Sequence, residues 1–252
     1  MNLDLFLDNY LKKRKENGCI ADTGYILNGL RQLYEVTGEE KYRQYILQYA
    51  DENFINNICN DPEKEKLQKI NVGKIAFLLY EMTGMEKYKD LLETLAKEHL
   101  NFMNAKGLYE VLPFQMEYET KFHNKAGYND IVQQFIAMEK NESPEWYAMA
   151  LIDALEHMSI EIFEHYKSLQ EIFKKTIKNI QINPDVKLQN ACIGYAIVKA
   201  CNMGILNPEK YSETGLRLID GVIDDPLLWD DDMSAGILMM ACAQSVQFRN
   251  NN

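Results

Sequence analysis

A ten-residue phrase occurs twice in this chain. It reads Leu33-Tyr34-Glu35-Val36-Thr37-Gly38-Glu39-Glu40-Lys41-Tyr42 and then, 46 residues later, Leu79-Tyr80-Glu81-Met82-Thr83-Gly84-Met85-Glu86-Lys87-Tyr88. Each copy follows an apolar run and precedes an amphipathic one. Self-similarity at this period marks an array of helix pairs. Thr-Gly ends one helix, because Gly tolerates the left-handed conformation just past a helix C-terminus. The acid that follows sits near the positive end of the next helix, and the Tyr is its first side chain to be buried. A looser relative runs from Met203-Gly204 to Pro208-Glu209-Lys210-Tyr211, where Pro208 suits a first helical turn. A weaker echo spans Tyr118 to Tyr128 and ends Lys125-Ala126-Gly127-Tyr128.

Read with caps and breakers, the chain divides into about twelve helical segments and no strand. They cover 3–15, 23–37, 40–58, 69–83, 86–103, 107–121, 127–140, 144–157, 160–180, 187–203, 208–223 and 233–247. Their character alternates. Odd segments carry a single apolar stripe, as in Tyr42, Tyr45, Ile46 and Tyr49 or Tyr88, Leu91, Leu92 and Leu95. Even segments are apolar nearly all round, as in Ile75-Ala76-Phe77-Leu78-Leu79 or Ala191-Cys192-Ile193-Gly194-Tyr195-Ala196. A single stripe belongs to a helix with one face in solvent, and an all-round apolar surface to a helix enclosed by protein. Alternation of the two kinds over six hairpins predicts an all-α fold, an (α/α)6 toroid formed by residues 1–252 as one domain. No Pro/Gly/Ser-rich linker breaks it.

A net charge of −11 excludes nucleic-acid backbones and anionic membranes as expected partners. No apolar run reaches the roughly 20 residues of a membrane span. The five cysteines are scattered without a CxxC pair, which fits a reducing compartment. The start, Met1-Asn2-Leu3-Asp4-Leu5, has no secretory pattern, so a cytoplasmic location is expected. The four histidines lack metal-ligand spacing, and no phosphate or dinucleotide glycine pattern is present, so neither a metal nor a cofactor is expected. Composition does not settle the oligomeric state.

Inner helices of such a toroid all point one way, so their N-terminal turns meet at one mouth, where free N–H groups favour a polar or anionic ligand. The residues delivered there include Asp22 and Tyr25, Gln68 and Asn71, Lys106 and Tyr109, Glu145 and Trp146, Gln189 and Asn190, and Asp230, Asp231 and Asp232. Tyr25, Asn71, Lys106, Tyr109, Trp146 and Gln189 are the expected ligand-binding set.

Several blocks resemble, in order, the unsaturated glucuronyl and rhamnogalacturonyl hydrolases, glycoside hydrolase families 88 and 105. They are Ile70-Asn71-Val72-Gly73-Lys74, Gly107-Leu108-Tyr109-Glu110-Val111-Leu112-Pro113-Phe114, Tyr128-Asn129-Asp130-Ile131-Val132-Gln133-Gln134-Phe135 and Trp146-Tyr147-Ala148-Met149-Ala150-Leu151-Ile152-Asp153. The resemblance implies the (α/α)6 fold, a small oligosaccharide partner, and hydration of the C4=C5 bond of an unsaturated uronide by an aspartate acting as acid and base. At the two places where the resembling family carries its aspartates, this chain has Gln68 and Lys106. A side-chain amide cannot relay a proton in this way, and a lysine does so only with a strongly depressed pKa. If turnover persists, a relocated carboxylate must carry it, and Asp22, Glu145, Asp231 and Asp232 are the candidates. Two of these have plainer readings. Ser143-Pro144-Glu145 is an ordinary helix start, and the acidic run Asp224–Asp232 ends where it would cap the last helix. A divergent hydrolase, a non-catalytic saccharide binder and an interaction toroid all remain open at this level.

Overall fold

Both copies of the repeated phrase adopt the same turn. Gly38 and Gly84 have φ of 67° and 65°, and their N–H groups donate to the carbonyls of Tyr34 and Tyr80, each at 2.8 Å. The preceding threonines close the turn from both sides. Thr37 and Thr83 donate to the carbonyls of Leu33 and Leu79 at 2.6 Å, and they accept from the N–H groups of Glu39 and Met85 at 3.2 Å. The next helix then begins with Glu40 or Glu86 in its first turn, and Lys41 and Lys87 each lie 4.9 Å over the ring of the buried tyrosine that follows. The looser relative repeats the pattern, with Gly204 at φ 68° and Lys210 5.1 Å over Tyr211. The echo before Tyr128 does not. There Asn124 and Lys125 take the positive φ values, 51° and 65°, while Gly127 at φ −87° donates to Glu119 Oε2 at 2.7 Å. A Cβ on Gly127 would meet that same carboxylate.

The structure, a computed structural model, describes residues 23–50, 55, 66–98, 104–140 and 143–251. Among them are thirteen helices and no strand: α1 Thr23–Thr37, α2 Glu40–Tyr49, α3 Lys66–Gly73, α4 Ile75–Thr83, α5 Glu86–Ala96, α6 Ala105–Lys121, α7 Tyr128–Ala137, α8 Pro144–His157, α9 Phe163–Asn179, α10 Lys187–Asn202, α11 Pro208–Asp220, α12 Pro226–Trp229 and α13 Asp232–Asn251. The expected segment 3–15 lies outside the described residues, as does part of 40–58. The segment expected over 69–83 is two helices meeting at Lys74. Its carbonyl accepts from Phe77 N–H at 3.3 Å and from Arg31 Nη1 at 3.5 Å, so the ladder tightens there by one residue. The one-turn helix α12 was not expected; Asp225 caps it by accepting from Leu227 N–H.

The chain forms two compact units, Met1–Glu98 with Asp220–Asn252, and His99–Ile219. In the first, α1 is buried almost all round and lies between α3 and α13. Glycines make both approaches close. A Cβ on Gly24 would stand 2.7 Å from the Asn71 carbonyl carbon, and one on Gly236 would stand 2.3 Å from that of Tyr25. Helices α2 and α5 cover this layer with single stripes, Tyr42, Ile46 and Tyr49 in one and Tyr88, Leu91, Leu92 and Leu95 in the other.

The second unit is built on α8, from Trp146 to Leu155 an unbroken buried run. Residue pairs across α8 and α10 keep nearly constant separations, as Glu145 with Gln189, Asp153 with Tyr195 and Glu156 with Lys199. Pairs across α6 and α8 behave alike: Tyr109 with Trp146, and Thr120 with the His157 carbonyl. Constant separation means parallel helices in register, so α6, α8 and α10 start at one end of this unit. Helices α7, α9 and α11 bury one stripe each, such as Leu169, Phe173 and Ile177 of α9. The alternation read from the sequence therefore holds in both units.

Candidate functional site

The first turns of α6, α8 and α10 bring together five of the residues singled out from the sequence. Pro144 occupies the first turn of α8, with Glu145 and Trp146 behind it. The flanking Ser143 stands at the N-cap without a side-chain capping bond. Trp146 is 9% exposed and packs against Tyr109 of α6 with ring centroids 5.6 Å apart and planes tilted by 53°. Glu145 is half-buried and accepts from Gln189 Nε2 of α10 at 3.3 Å. One turn further along α10, burial pushes the Cys192 thiol pKa up, and the charge of Glu145 adds to the effect. Lys106 reaches back along α6 to Glu110, 3.3 Å away, whose carboxylate is almost fully covered. At this end of the unit a half-buried carboxylate, an amide, an ammonium and the rim of an indole thus lie on neighbouring helix ends. Such a group can donate to and accept from hydroxyls beside an apolar ring face.

Deeper between α8 and α10 lies a polar network that the sequence reading missed. Lys199 is 1% exposed, and its three protons are all used: Asp153 Oδ1 at 2.7 Å, Glu156 Oε2 at 2.7 Å and the Tyr195 hydroxyl at 2.9 Å. Tyr195 in turn donates to Asp153 Oδ1 at 2.5 Å. Burial alone would lower the Lys199 pKa. The charges of Asp153 and Glu156 and their hydrogen bonds outweigh it and hold it above the ordinary lysine range. The same network touches the site from below. Burial, with the charge of Asp153 second, drives the Tyr109 phenol well above its usual range. A signal existed in the lone lysine inside the apolar run Tyr195–Cys201, since lysine is almost never fully buried unless paired.

The remaining expected site residues belong to the first unit. Tyr25 is wholly buried beneath Gly236, and Asn71, 3% exposed, accepts from Asn28 Nδ2 at 3.2 Å. These two pack the α1 interfaces. Asp231 Oδ2 accepts from Ser234 N–H at 2.9 Å and from Ser234 Oγ at 2.6 Å, which makes it the cap of α13, with Asp232 in the first turn behind it. Asp22 lies outside the described residues. Of the ligand-binding set, Lys106 and Gln189 keep surface open to solvent and Trp146 only an edge, whereas Tyr25, Asn71 and Tyr109 are closed in.

A family model described as Glycosyl Hydrolase Family 88 matches residues 11–145, more than half of the chain. A search of curated proteins finds no match. Among solved structures, a glycosyl hydrolase family 88 protein from Bacteroides vulgatus superposes with a TM-score of 0.74 at 15% identity, covering 97% of this chain and 98% of that one. A possible member of glycoside hydrolase family 105 from Salmonella enterica does so with a TM-score of 0.73 at 13% identity, covering 92% and 83%. A polysaccharide lyase gives 0.72 at 13%, covering 98% and 96%. The fold is therefore the all-α, (α/α)6 six-hairpin toroid of these structures.

Proposed function

Because the chain belongs to glycosyl hydrolase family 88, we propose that it binds a small saccharide at the joined N-terminal ends of α6, α8 and α10. The observation that carries this reading is the convergence of Lys106, Glu145, Trp146 and Gln189 there. The exposed edge of Trp146 offers apolar surface to the border of a sugar ring. Glu145 and Gln189 are an acceptor and a donor within 3.3 Å of each other, the spacing that neighbouring ring hydroxyls bridge. Lys106, on a flexible stem and 39% exposed, pairs with an acidic substituent when it leaves Glu110. With Gln68 and Lys106 where the resembling family has its aspartates, hydration of an unsaturated uronide would require a relocated carboxylate.

Titration calorimetry with glucuronic and galacturonic acids and their unsaturated disaccharides tests the reading. Trp146→Ala is expected to weaken binding by about 3- to 10-fold, the worth of one aromatic contact. Glu145→Ala should weaken it by about 10-fold or more, as for a charged hydrogen bond. Binding indifferent to both changes would overturn the assignment. The second reading, a hydrolase whose relocated carboxylate is Glu145, is favoured by the half-buried position of that group. It requires the ultraviolet absorbance of the C4=C5 bond to decay in a way that Glu145→Gln abolishes.

A further inference from the structure

Among the described residues no large apolar side chain is more exposed than Leu227, at 74%. It stands on the one-turn helix α12, which is firmly held. Asp225 Oδ1 accepts from the Leu227 N–H at 3.0 Å, and Pro226 fixes the first turn. Trp229, 6% exposed, donates from Nε1 to the Ile223 carbonyl at 2.7 Å. Leu227 is therefore presented on a backbone already ordered, which lowers what a partner must spend on ordering it. The surrounding chain is acidic. Residues 220–232 hold six aspartates and no basic residue, and Asp224, Asp230 and Asp231 are exposed. Arg249 pairs with Asp220 at 2.8 Å and leaves the rest of the run acidic.

The second half of α9 and the turn entering α11 border an open groove of about 750 Å³. Its surface is more apolar than polar, lined by Ile205, Leu206 and Tyr211 together with Lys174, Lys175 and Lys178. Those lysines bring methylene stems as well as charge. Glu139 holds Lys175 at 2.6 Å, whereas Lys174 and Lys178 have no carboxylate within ion-pair reach among the described residues. The groove is thus apolar inside and cationic at its border, and α12 is an apolar tip with an acidic border. We propose that the groove seats α12 of a second copy of the chain, Leu227 against its apolar surface and the flanking aspartates toward the lysines. With a net charge of −11, most encounters between copies are repulsive. Opposite patches then select one docking register. A single helical turn covers less than the roughly 1,200 Å² of a stable interface, so the association is weak. Its two halves differ, so each docked copy keeps one free α12 and one free groove, and assembly proceeds head to tail. The contact does not rest on the function proposed for the α8 end.

The test is sedimentation velocity of the full chain from micromolar to millimolar concentration at near-physiological salt. The expected result is an average mass that rises with concentration and passes that of a dimer. Leu227→Asp, and separately Lys174→Glu/Lys178→Glu, should each weaken association tenfold or more, while Trp146→Ala leaves it unchanged. Mixing the first two proteins is the decisive arm. One keeps its groove and the other its α12, so together they should form a one-to-one pair that grows no further. Thermal unfolding of each variant checks that the fold is kept. A chain that stays monomeric throughout overturns the proposal, whatever else the groove is found to hold. So does association that survives either variant, or a mixture that stays monomeric or grows beyond two copies.

Discussion

Lys199 Nζ lies 2.7 Å from Asp153 Oδ1, between α8 and α10 and 1% exposed. An ion pair so placed adds little net stability over a well-packed apolar pair, yet it is expensive to break from one side. Asp153→Ala is therefore expected to destabilise the protein by about 3–5 kcal/mol in urea unfolding. The joint change Asp153→Leu with Lys199→Met should cost far less. A loss below about 1 kcal/mol for Asp153→Ala would show that Glu156 alone satisfies the ammonium.

Alkaline pH should unfold the chain more readily than acid handling of these groups would suggest. Lys199 and Tyr109 titrate above their ordinary values, and burial raises Cys201 and Cys242 to about 11. A raised native value means that the folded chain keeps its proton after the unfolded chain has lost it. These groups thus contribute fully below the unfolded values, and their contribution drains away as pH climbs toward the native ones. Denaturant midpoints should hold near neutrality, decline above about pH 8.5 as unfolded thiols ionise, and fall faster above about pH 10. The Cys192→Ala/Cys201→Ala/Cys242→Ala protein should flatten the first part of that decline, and an unchanged slope would remove these thiols from the account.

Gly84→Ala has room but not conformation. Nothing stands within 4 Å of the added Cβ, yet φ is 65°. The cost should be about 1–2 kcal/mol, the left-handed penalty alone, with Asn milder than Ala. Gly38→Ala, at the other copy of the phrase, should match it within experimental error in thermal unfolding.

Gly236→Ala has conformation but not room. Its Cβ would stand 2.3 Å from the backbone of Tyr25, which a rotamer change cannot relieve. Overpacking of about 1–3 kcal/mol is expected. A neutral substitution in calorimetry would mean that α1 and α13 slide apart freely.

Much of the fold was legible because its signals are local. The Thr-Gly caps, the acid in each following first turn and the contrast between striped and all-round apolar helices are written within a few residues. The division at Lys74 was not, because it depends on Arg31 reaching across from α1. The site was legible in part for the same reason. Glu145, Trp146 and Gln189 follow from where helices start, but the burial of Tyr25 and Asn71 follows from glycine contacts between distant segments. The Lys199 network escaped because its two carboxylates stand 43 and 46 residues away in α8. The lone lysine in an apolar run points to a paired ammonium but not to the residues that pair with it.

The seam between α1 and α13 also imposes an order on biosynthesis. The unit containing them is discontinuous, beginning before Glu98 and resuming at Asp220. When a ribosome has finished α1, the helix that will cover it is nearly two hundred residues away, roughly ten to forty seconds of translation at 5–20 residues per second. During that wait α1, whose residues Thr23–Arg31 are all buried in the folded unit, has no α13 to cover it, whereas the contiguous stretch His99–Ile219 emerges whole. The nascent chain is thus exposed to aggregation and to chaperone capture at α1, and that exposure ends only when α13 clears the exit tunnel.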